Sequence, residues 1–297
     1  MTRACLICHE SEHEELILNE LPLLRCRQCG LIRREKFDMP ISHYEELDVC
    51  DTPEKREIRF RNSLDRVKTF FRFVPRVGWC DVGTGEGIFL EALAAIGGQG
   101  VGIEPSRKGC KKAIAHGVKI VGHDIKDIDV ISKIEPVRVV SLFHVIEHLE
   151  HPDIEVRRIY DALPPGGFLI IETPDIDSPV FRLRKYKDQL IYPEHLWYFS
   201  DNTLRALLKH IGFHIVASGG RDFDQYNISI RESLFRLGLS LKKPGALRSN
   251  ADARRREGGA LLSPRAWNLF RKVVRRILSS VVVATGRLQY VWVVAQK

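Results

Sequence analysis

Four cysteines are spaced as metal ligands. Cys5-Leu-Ile-Cys8 and Cys26-Arg-Gln-Cys29 set two C-x2-C pairs seventeen residues apart, a spacing that brings four thiolates around one tetrahedral zinc. The two-residue gap lets both thiolates of a pair reach one ion from a tight turn, and Gly30 after Cys29 suits the unusual backbone of that turn. Protein fills all four positions, which leaves no place for water or substrate, so the expected role is structural. Roughly 10 to 16 kcal/mol of metal binding can replace the core that a module of about thirty residues cannot build. The residues between the pairs, Leu16-Ile17-Leu18 and Leu23-Leu24, can supply two short strands of a zinc ribbon or knuckle. His9 reads as a surface neighbour, and Cys50, Cys80 and Cys110 lack ligand spacing and read as ordinary thiols.

A second constellation is Asp81-Val-Gly-Thr-Gly-Glu-Gly87, at a strand-to-helix turn. Glycines at 83, 85 and 87 permit positive φ and close approach of backbone to a bound molecule. Their G-x-G-x-G spacing differs from the G-x-G-x-x-G that surrounds a dinucleotide pyrophosphate. Glu104 ends the next strand signal, placed to accept hydrogen bonds from both hydroxyls of a ribose. Together these residues imply a nucleoside-containing cofactor.

Over roughly residues 60–219, and again at the last strand, the chain resembles the class I S-adenosylmethionine-dependent methyltransferases. Asp81 to Gly87 looks like that family's first motif, Glu104 like its ribose acid, and Asp124 in Gly122-His-Asp-Ile125 like its adenine-side acid. Phe143-His-Val-Ile-Glu-His-Leu149, Leu163-Pro-Pro-Gly-Gly-Phe168 and Glu172-Thr-Pro-Asp175 follow in the family's order. The resemblance implies S-adenosylmethionine as cofactor, with Asp81, Gly83, Thr84, Gly85, Gly87, Glu104, Asp124 and Phe143 around it. A sulfonium cofactor carries no pyrophosphate, so the glycine loop would meet the aminoacyl portion and Asp81 would help bind the ammonium. The combination with a zinc knuckle also resembles a bacterial subgroup that includes deoxysugar methyltransferases.

Methyl transfer is an in-line displacement, and a hydroxyl acceptor must also lose its proton, for which histidine is the natural base near neutral pH. His144, Glu147 and His148 follow the fourth strand at i, i+3, i+4, so one turn of helix would point all three the same way. His195, in Pro193-Glu-His-Leu-Trp-Tyr-Phe199, would approach from the other side. Four such ligands can hold a divalent metal that polarises a hydroxyl. The set resembles the metal positions of ubiquinone-pathway O-methyltransferases and small-RNA 2′-O-methyltransferases, with His144 standing where those carry Glu. Two other readings stay open. One is a metal-free histidine base; the other is a polar Glu147-His148 cap with His195 packed among Trp197, Tyr198 and Phe199 in a lid.

Positioning these groups requires alternating strands and helices. The sequence predicts strands over 77–82, 100–104, 118–121, 137–143, 168–172 and 213–217, with helices over 86–96, 106–116, 153–163 and 202–210 between them. The expected fold is α/β, a Rossmann-like seven-stranded methyltransferase sheet with an antiparallel last strand, plus a small N-terminal zinc ribbon. The expected division is residues 1–35 for the zinc module, 36–75 for a linker and N-terminal helix, and 76–219 for the cofactor domain. Residues 220–287 then form an insertion and 288–297 the final strand.

With 297 residues, 44% hydrophobic and 28% charged, the chain falls in the globular range, which excludes disordered and fibrous readings. The net charge of +8 is concentrated, since Arg221 to Arg287 holds 15 Lys/Arg against 5 Asp/Glu. Within that segment Ser263-Pro264 opens a helix signal in which Trp267, Phe270, Val274, Ile277 and Val281 recur at helical spacing among Arg271, Lys272, Arg275 and Arg276. Such a basic amphipathic helix, over 264–281, can cover the active site, lie on an anionic membrane or grip an acidic partner. Nucleic acid is the least favoured partner, for want of a separate RNA-reading module. No secretory signal or 20-residue apolar span is visible, so the expected location is cytoplasmic, with membrane-peripheral contact through the basic helix as an option. The expected function is methyl transfer to a small-molecule, sugar or carrier-linked acceptor, at oxygen. The alternatives are an RNA 2′-O-methyltransferase and a non-catalytic binding module that retains the fold.

Overall fold

Each cysteine turn closes in the same way. The His9 amide donates to the Cys5 carbonyl at 2.9 Å and the Gly30 amide to the Cys26 carbonyl at 3.0 Å. The residue after each C-x2-C pair takes positive φ, +60° at His9 and +78° at Gly30. His9 is therefore part of the first turn, with its ring 5.4 Å from that of His210. Between the turns run β1 (His13–Leu18) and β2 (Leu21–Cys26), antiparallel, followed by β3 (Ile32–Arg34). The computed structural model describes residues 4–35, 52–178, 181, 191, 193–221 and 289–297. Residues 36–51, including Cys50, and 222–288, which hold nearly all of the expected basic insertion and its expected helix over 264–281, lie outside the described residues.

Helix α1 (Pro53–Phe70) starts where Thr52 caps the Lys55 amide and Pro53 fixes the first turn. Short aliphatic runs then alternate with helices: β4 (Trp79–Val82), α2 (Ile88–Ala95), β5 (Gly100–Ile103), α3 (Arg107–Ala115), β6 (Ile120–Gly122), α4 (Ile128–Ile134), β7 (Val139–Phe143), α5 (Pro152–Ala162) and β8 (Phe168–Pro174). The chain continues through β9 (Trp197–Tyr198), α6 (Asp201–Ile211), β10 (His214–Arg221) and β11 (Tyr290–Gln296).

The large sheet has seven strands in the order β10-β11-β8-β7-β4-β5-β6. The five strands from β8 to β6 are parallel, and β11 enters antiparallel between β8 and β10. This is the expected α/β Rossmann-like architecture with its antiparallel last strand. Strand β7 shows why the sheet is covered on both faces. Val140 and Leu142 join a core with Ile131 of α4, Ile159 of α5 and Leu207 of α6, while Val139 joins Phe70 of α1, Leu93 of α2 and Ala113 of α3.

Several details differ from the sequence expectation. β4 begins at Trp79 and β6 at Ile120, because Gly78 and Gly117 turn the chain at positive φ just before them. Helix α4, too short to show a clear period, was not anticipated. Trp197 and Tyr198 are drawn into a sheet. They pair as β9 with β3, giving the zinc module a four-stranded sheet, β1-β2-β3-β9, and Trp197, Tyr198 and Phe199 are all buried. No helix among the described residues is long and apolar enough to cross a membrane.

Candidate functional site

The four cysteine sulfurs converge at the tip of the small module. Cys5 and Cys29 Sγ are 3.4 Å apart, as are Cys8 and Cys26 Sγ, and all four lie within 4.8 Å of one another. Tetrahedral zinc with bonds of about 2.3 Å requires sulfur separations of roughly this size. The donor set therefore fits a structural zinc. Burial works against the Cys26 thiolate, but amides at Cys29 and Gln28 and the Cys8 thiol outweigh it and lower its pKa to about 7. Burial pushes the thiol of Cys5 up instead.

On the sheet, Asp81, Glu104 and Asp124 fall at the carboxyl ends of β4, β5 and β6, three neighbouring strands. Gly83, Gly85 and Gly87 all have positive φ. At Gly83 a side chain would strike Val145 at 2.6 Å, so glycine is required there for close packing. At Gly85 the space outside the backbone is open, with nothing within 4 Å of a virtual Cβ, so the loop presents bare peptide to the crevice. Glu104 is buried, and its two oxygens accept from the Gly85 amide at 2.6 Å and the Ser106 amide at 2.9 Å. Burial raises its pKa while these two amides oppose the rise. Each oxygen retains a further lone pair for a ribose hydroxyl. This pinned carboxylate beside an open glycine loop fits the adenosine of S-adenosylmethionine.

Asp81 is more deeply set. Its carboxylate accepts from the Ser141 hydroxyl at 2.6 Å, and burial raises its pKa to about 6. Thr84 is buried in the turn, its amide donating to the Ile103 carbonyl. Asp124 is exposed and caps the following 3-10 turn through the Lys126 amide. The Phe143 ring packs against Phe89 at 4.6 Å and Phe70 at 5.7 Å, with the Arg66 guanidinium 4.6 Å over it. It faces the α1–α2 side of the sheet.

The histidine constellation is only partly gathered. Glu147, His148 and His195 bring one ligand atom each to within 4.8 Å of one another. His144 does not join them. The chain leaves β7 through His144 in the left-handed region, φ +59°, before a 3-10 turn over Ile146–His148, and this sets the imidazole between two carboxylates. Nδ1 is 3.6 Å from Glu147 and Nε2 is 3.4 Å from Glu172. Of the expected four-ligand set the structure thus groups three, with His144 set between Glu147 and Glu172.

Glu147 is buried, and its second oxygen accepts from the Thr173 hydroxyl at 2.9 Å. Burial alone would raise its pKa, but His144, His148 and His195 lower it to about 2. His148 Nδ1 lies 3.0 Å from the Glu194 carbonyl oxygen. A carbonyl can only accept, so Nδ1 carries the proton and Nε2 keeps its lone pair for a proton or a metal.

Glu172, Arg66 and Arg221 belong to the site's surroundings and had no functional role in the sequence reading. The Glu172 carboxylate is fully buried, paired with Arg66 at 2.5 Å and Arg221 at 3.0 Å. Burial opposes its charge, yet the two guanidiniums and His144 hold the carboxyl far below the usual range. A signal for this network exists in the sequence. Glu172 ends the apolar run Phe168 to Ile171, and a carboxylate in a buried strand demands a cation.

Residues 55–218, more than half of the chain, match the family described as "Methyltransferase domain". The mitochondrial ubiquinone biosynthesis O-methyltransferase of Mus musculus is 26% identical over 170 residues, covering 50% of this chain and 44% of that protein. The ubiquinone biosynthesis O-methyltransferase of Bradyrhizobium diazoefficiens is 26% identical over 96 residues, 31% of this chain and 38% of that one. The chain therefore spans less than half the length of these curated relatives. Among solved structures, a SAM-dependent methyltransferase from Archaeoglobus fulgidus superposes with a TM-score of 0.49 at 20% identity, over 82% of this chain and 94% of that one. With more than half its length in the family match and the seven-stranded sheet carrying the glycine loop, the chain belongs to the methyltransferase-domain family, built on the class I S-adenosylmethionine-dependent fold.

Proposed function

We propose that this protein transfers the methyl group of S-adenosylmethionine to a hydroxyl oxygen of a small-molecule, sugar or carrier-linked acceptor. The observation that supports the acceptor chemistry is the cluster of Glu147, His148 and His195, set just beyond β7, the strand beside the one that carries Asp81. The curated relatives are O-methyltransferases by name, which agrees with oxygen as the target.

Bound at the glycine loop, S-adenosylmethionine supplies a methyl group already activated by its sulfonium charge. Glu104 would hold the ribose, the open face at Gly85 would admit the aminoacyl portion, and Asp81 would supply negative charge for the ammonium. The remaining task is to place the acceptor oxygen in line with the methyl and to take its proton. His148, with Nδ1 protonated against the Glu194 carbonyl, offers Nε2 as base. Glu147 stabilises the imidazolium that results. The same three donors suit a divalent metal, which would polarise the acceptor hydroxyl. A cytoplasmic location, with the helix expected over 264–281 against an anionic membrane, is compatible with a carrier-linked acceptor.

The test is to incubate the purified protein with methyl-labelled S-adenosylmethionine and an extract of its source cells, and to identify the labelled product. A methyl ether in a small or carrier-linked molecule is expected. Label confined to RNA, to nitrogen or to carbon, or no label at all, would overturn the reading.

A further inference from the structure

One short segment is shared by the zinc module and the acceptor-side cluster. On the module side, Ile32 pairs with Tyr198 and Arg33 with Trp197. The Arg34 amide donates to the Leu196 carbonyl at 2.8 Å, and the Arg34 guanidinium donates to the Pro193 carbonyl. On the opposite side the same residues are fastened to the turn after β7. The Leu196 amide donates to the Glu147 carbonyl at 2.8 Å, the Trp197 indole donates to the Leu149 carbonyl at 2.8 Å, and His148 meets the Glu194 carbonyl. His195 sits in the middle of this segment, its side chain buried and its ring centroid 4.7 Å from that of His148.

A two-residue strand has no stability of its own, so its order must come from what it pairs with. Here the partner is β3, which is only three residues long and follows directly from the second cysteine turn, where the Cys26 amide donates to the Leu31 carbonyl. The path from the sulfur cluster to His195 therefore runs through one continuous set of backbone hydrogen bonds: Cys26 to Leu31, the β3–β9 pairing, and Leu196 to Glu147.

We infer that the zinc module is a positioning element for the acceptor-side cluster, with β3 holding residues 193–198 so that His195 stays beside Glu147 and His148. Arg34 is the main positioning residue, because it contributes both its amide and its guanidinium to the segment. The proposal rests on reading Glu147, His148 and His195 as the acceptor-side site. It gives the module a function beyond its own stability: it leaves the cofactor crevice untouched and governs the geometry across from it.

The experiment uses the full-length, zinc-loaded protein and compares the parent with Arg34→Ala, which loses the guanidinium, and Arg34→Pro, which also loses the amide. Hydrogen exchange is followed by mass spectrometry in peptides covering 193–198. Exchange there is expected to quicken at least tenfold in Arg34→Pro and about threefold in Arg34→Ala. Zinc content should remain at one per chain, and affinity for S-adenosylmethionine should stay within twofold of the parent. Mn2+, used as the probe of the cluster in calorimetry, should bind at least tenfold more weakly to Arg34→Pro. Unchanged exchange in Arg34→Pro overturns the positioning role; if that variant does not fold, unchanged exchange in Arg34→Ala overturns it. A parent that binds no Mn2+ beyond its zinc, or a His195→Ala variant that binds Mn2+ as the parent does, overturns the metal reading of the cluster, and methyl transfer undiminished in His195→Ala overturns its reading as the acceptor-side site.

Discussion

The cofactor side and the acceptor side of the proposed site are built by different means. On the cofactor side, the determinants are local: a glycine loop of a few residues, and a carboxylate fixed by amides of its own and the adjacent turn. On the acceptor side, Glu147, Thr173, His195 and the Arg66–Glu172–Arg221 network come from five separate stretches of chain. A site written in backbone conformation can be carried by a short motif. A site written in side chains from distant segments depends on everything that brings those segments together, the zinc module included. Substitutions on the two sides should therefore have separable consequences, one set acting on cofactor affinity and the other on stability or turnover.

The largest stability effect is expected at Arg66. Arg66→Ala removes one of the cations that neutralise the fully buried Glu172 and should cost about 3 to 5 kcal/mol, read as a fall in the urea midpoint. A loss below about 1 kcal/mol would mean that Arg221 and His144 suffice. Next is His195→Ala, which should lower methyl transfer tenfold to a hundredfold, about 1 to 3 kcal/mol of barrier, while cofactor affinity stays within twofold. Equal losses in both quantities would erase the distinction between the two sides.

The last effect, of similar size at most, has a pH signature. Asp81 has its pKa raised by burial to about 6, against an ordinary value of 3.8. The folded state thus holds this proton more tightly than the unfolded state. The associated stability is present below about pH 4 and is lost as pH rises through 6. Asp81→Asn keeps an acceptor for the Ser141 hydroxyl but has no charge to bury, so it should be more stable than the parent at pH 8 by up to about 3 kcal/mol, with the gain vanishing near pH 4. Its cofactor affinity should fall nonetheless. A variant no more stable than the parent at pH 8 would show that the Asp81 charge is well solvated by its partners.

These contrasts also set what could be read from the chain alone. The succession of strands and helices followed from alternation of aliphatic runs with helical segments, and the two cysteine turns from their spacing, because in both cases the relevant forces act between near neighbours. The glycine loop and Glu104 were legible for the same reason. Strand β9 was not: two aromatic residues carry no periodicity, and their pairing with β3 joins residues more than 160 positions apart. Arg66 was hidden because a basic residue within a helical stretch reads as a solvated face, although Arg66 stands one turn before Phe70 and is buried with it. His144 was misplaced because i, i+3, i+4 spacing implies a helix only where the backbone is helical, and here it begins with a left-handed residue.

The most direct test of cofactor binding at the carboxyl ends of β4, β5 and β6 is calorimetric titration of S-adenosylmethionine into the parent, Glu104→Ala and His195→Ala proteins. Saturable binding by the parent and by His195→Ala is expected, with affinity lowered a hundredfold or more in Glu104→Ala. Equal binding by the parent and Glu104→Ala, or none by the parent, would contradict it.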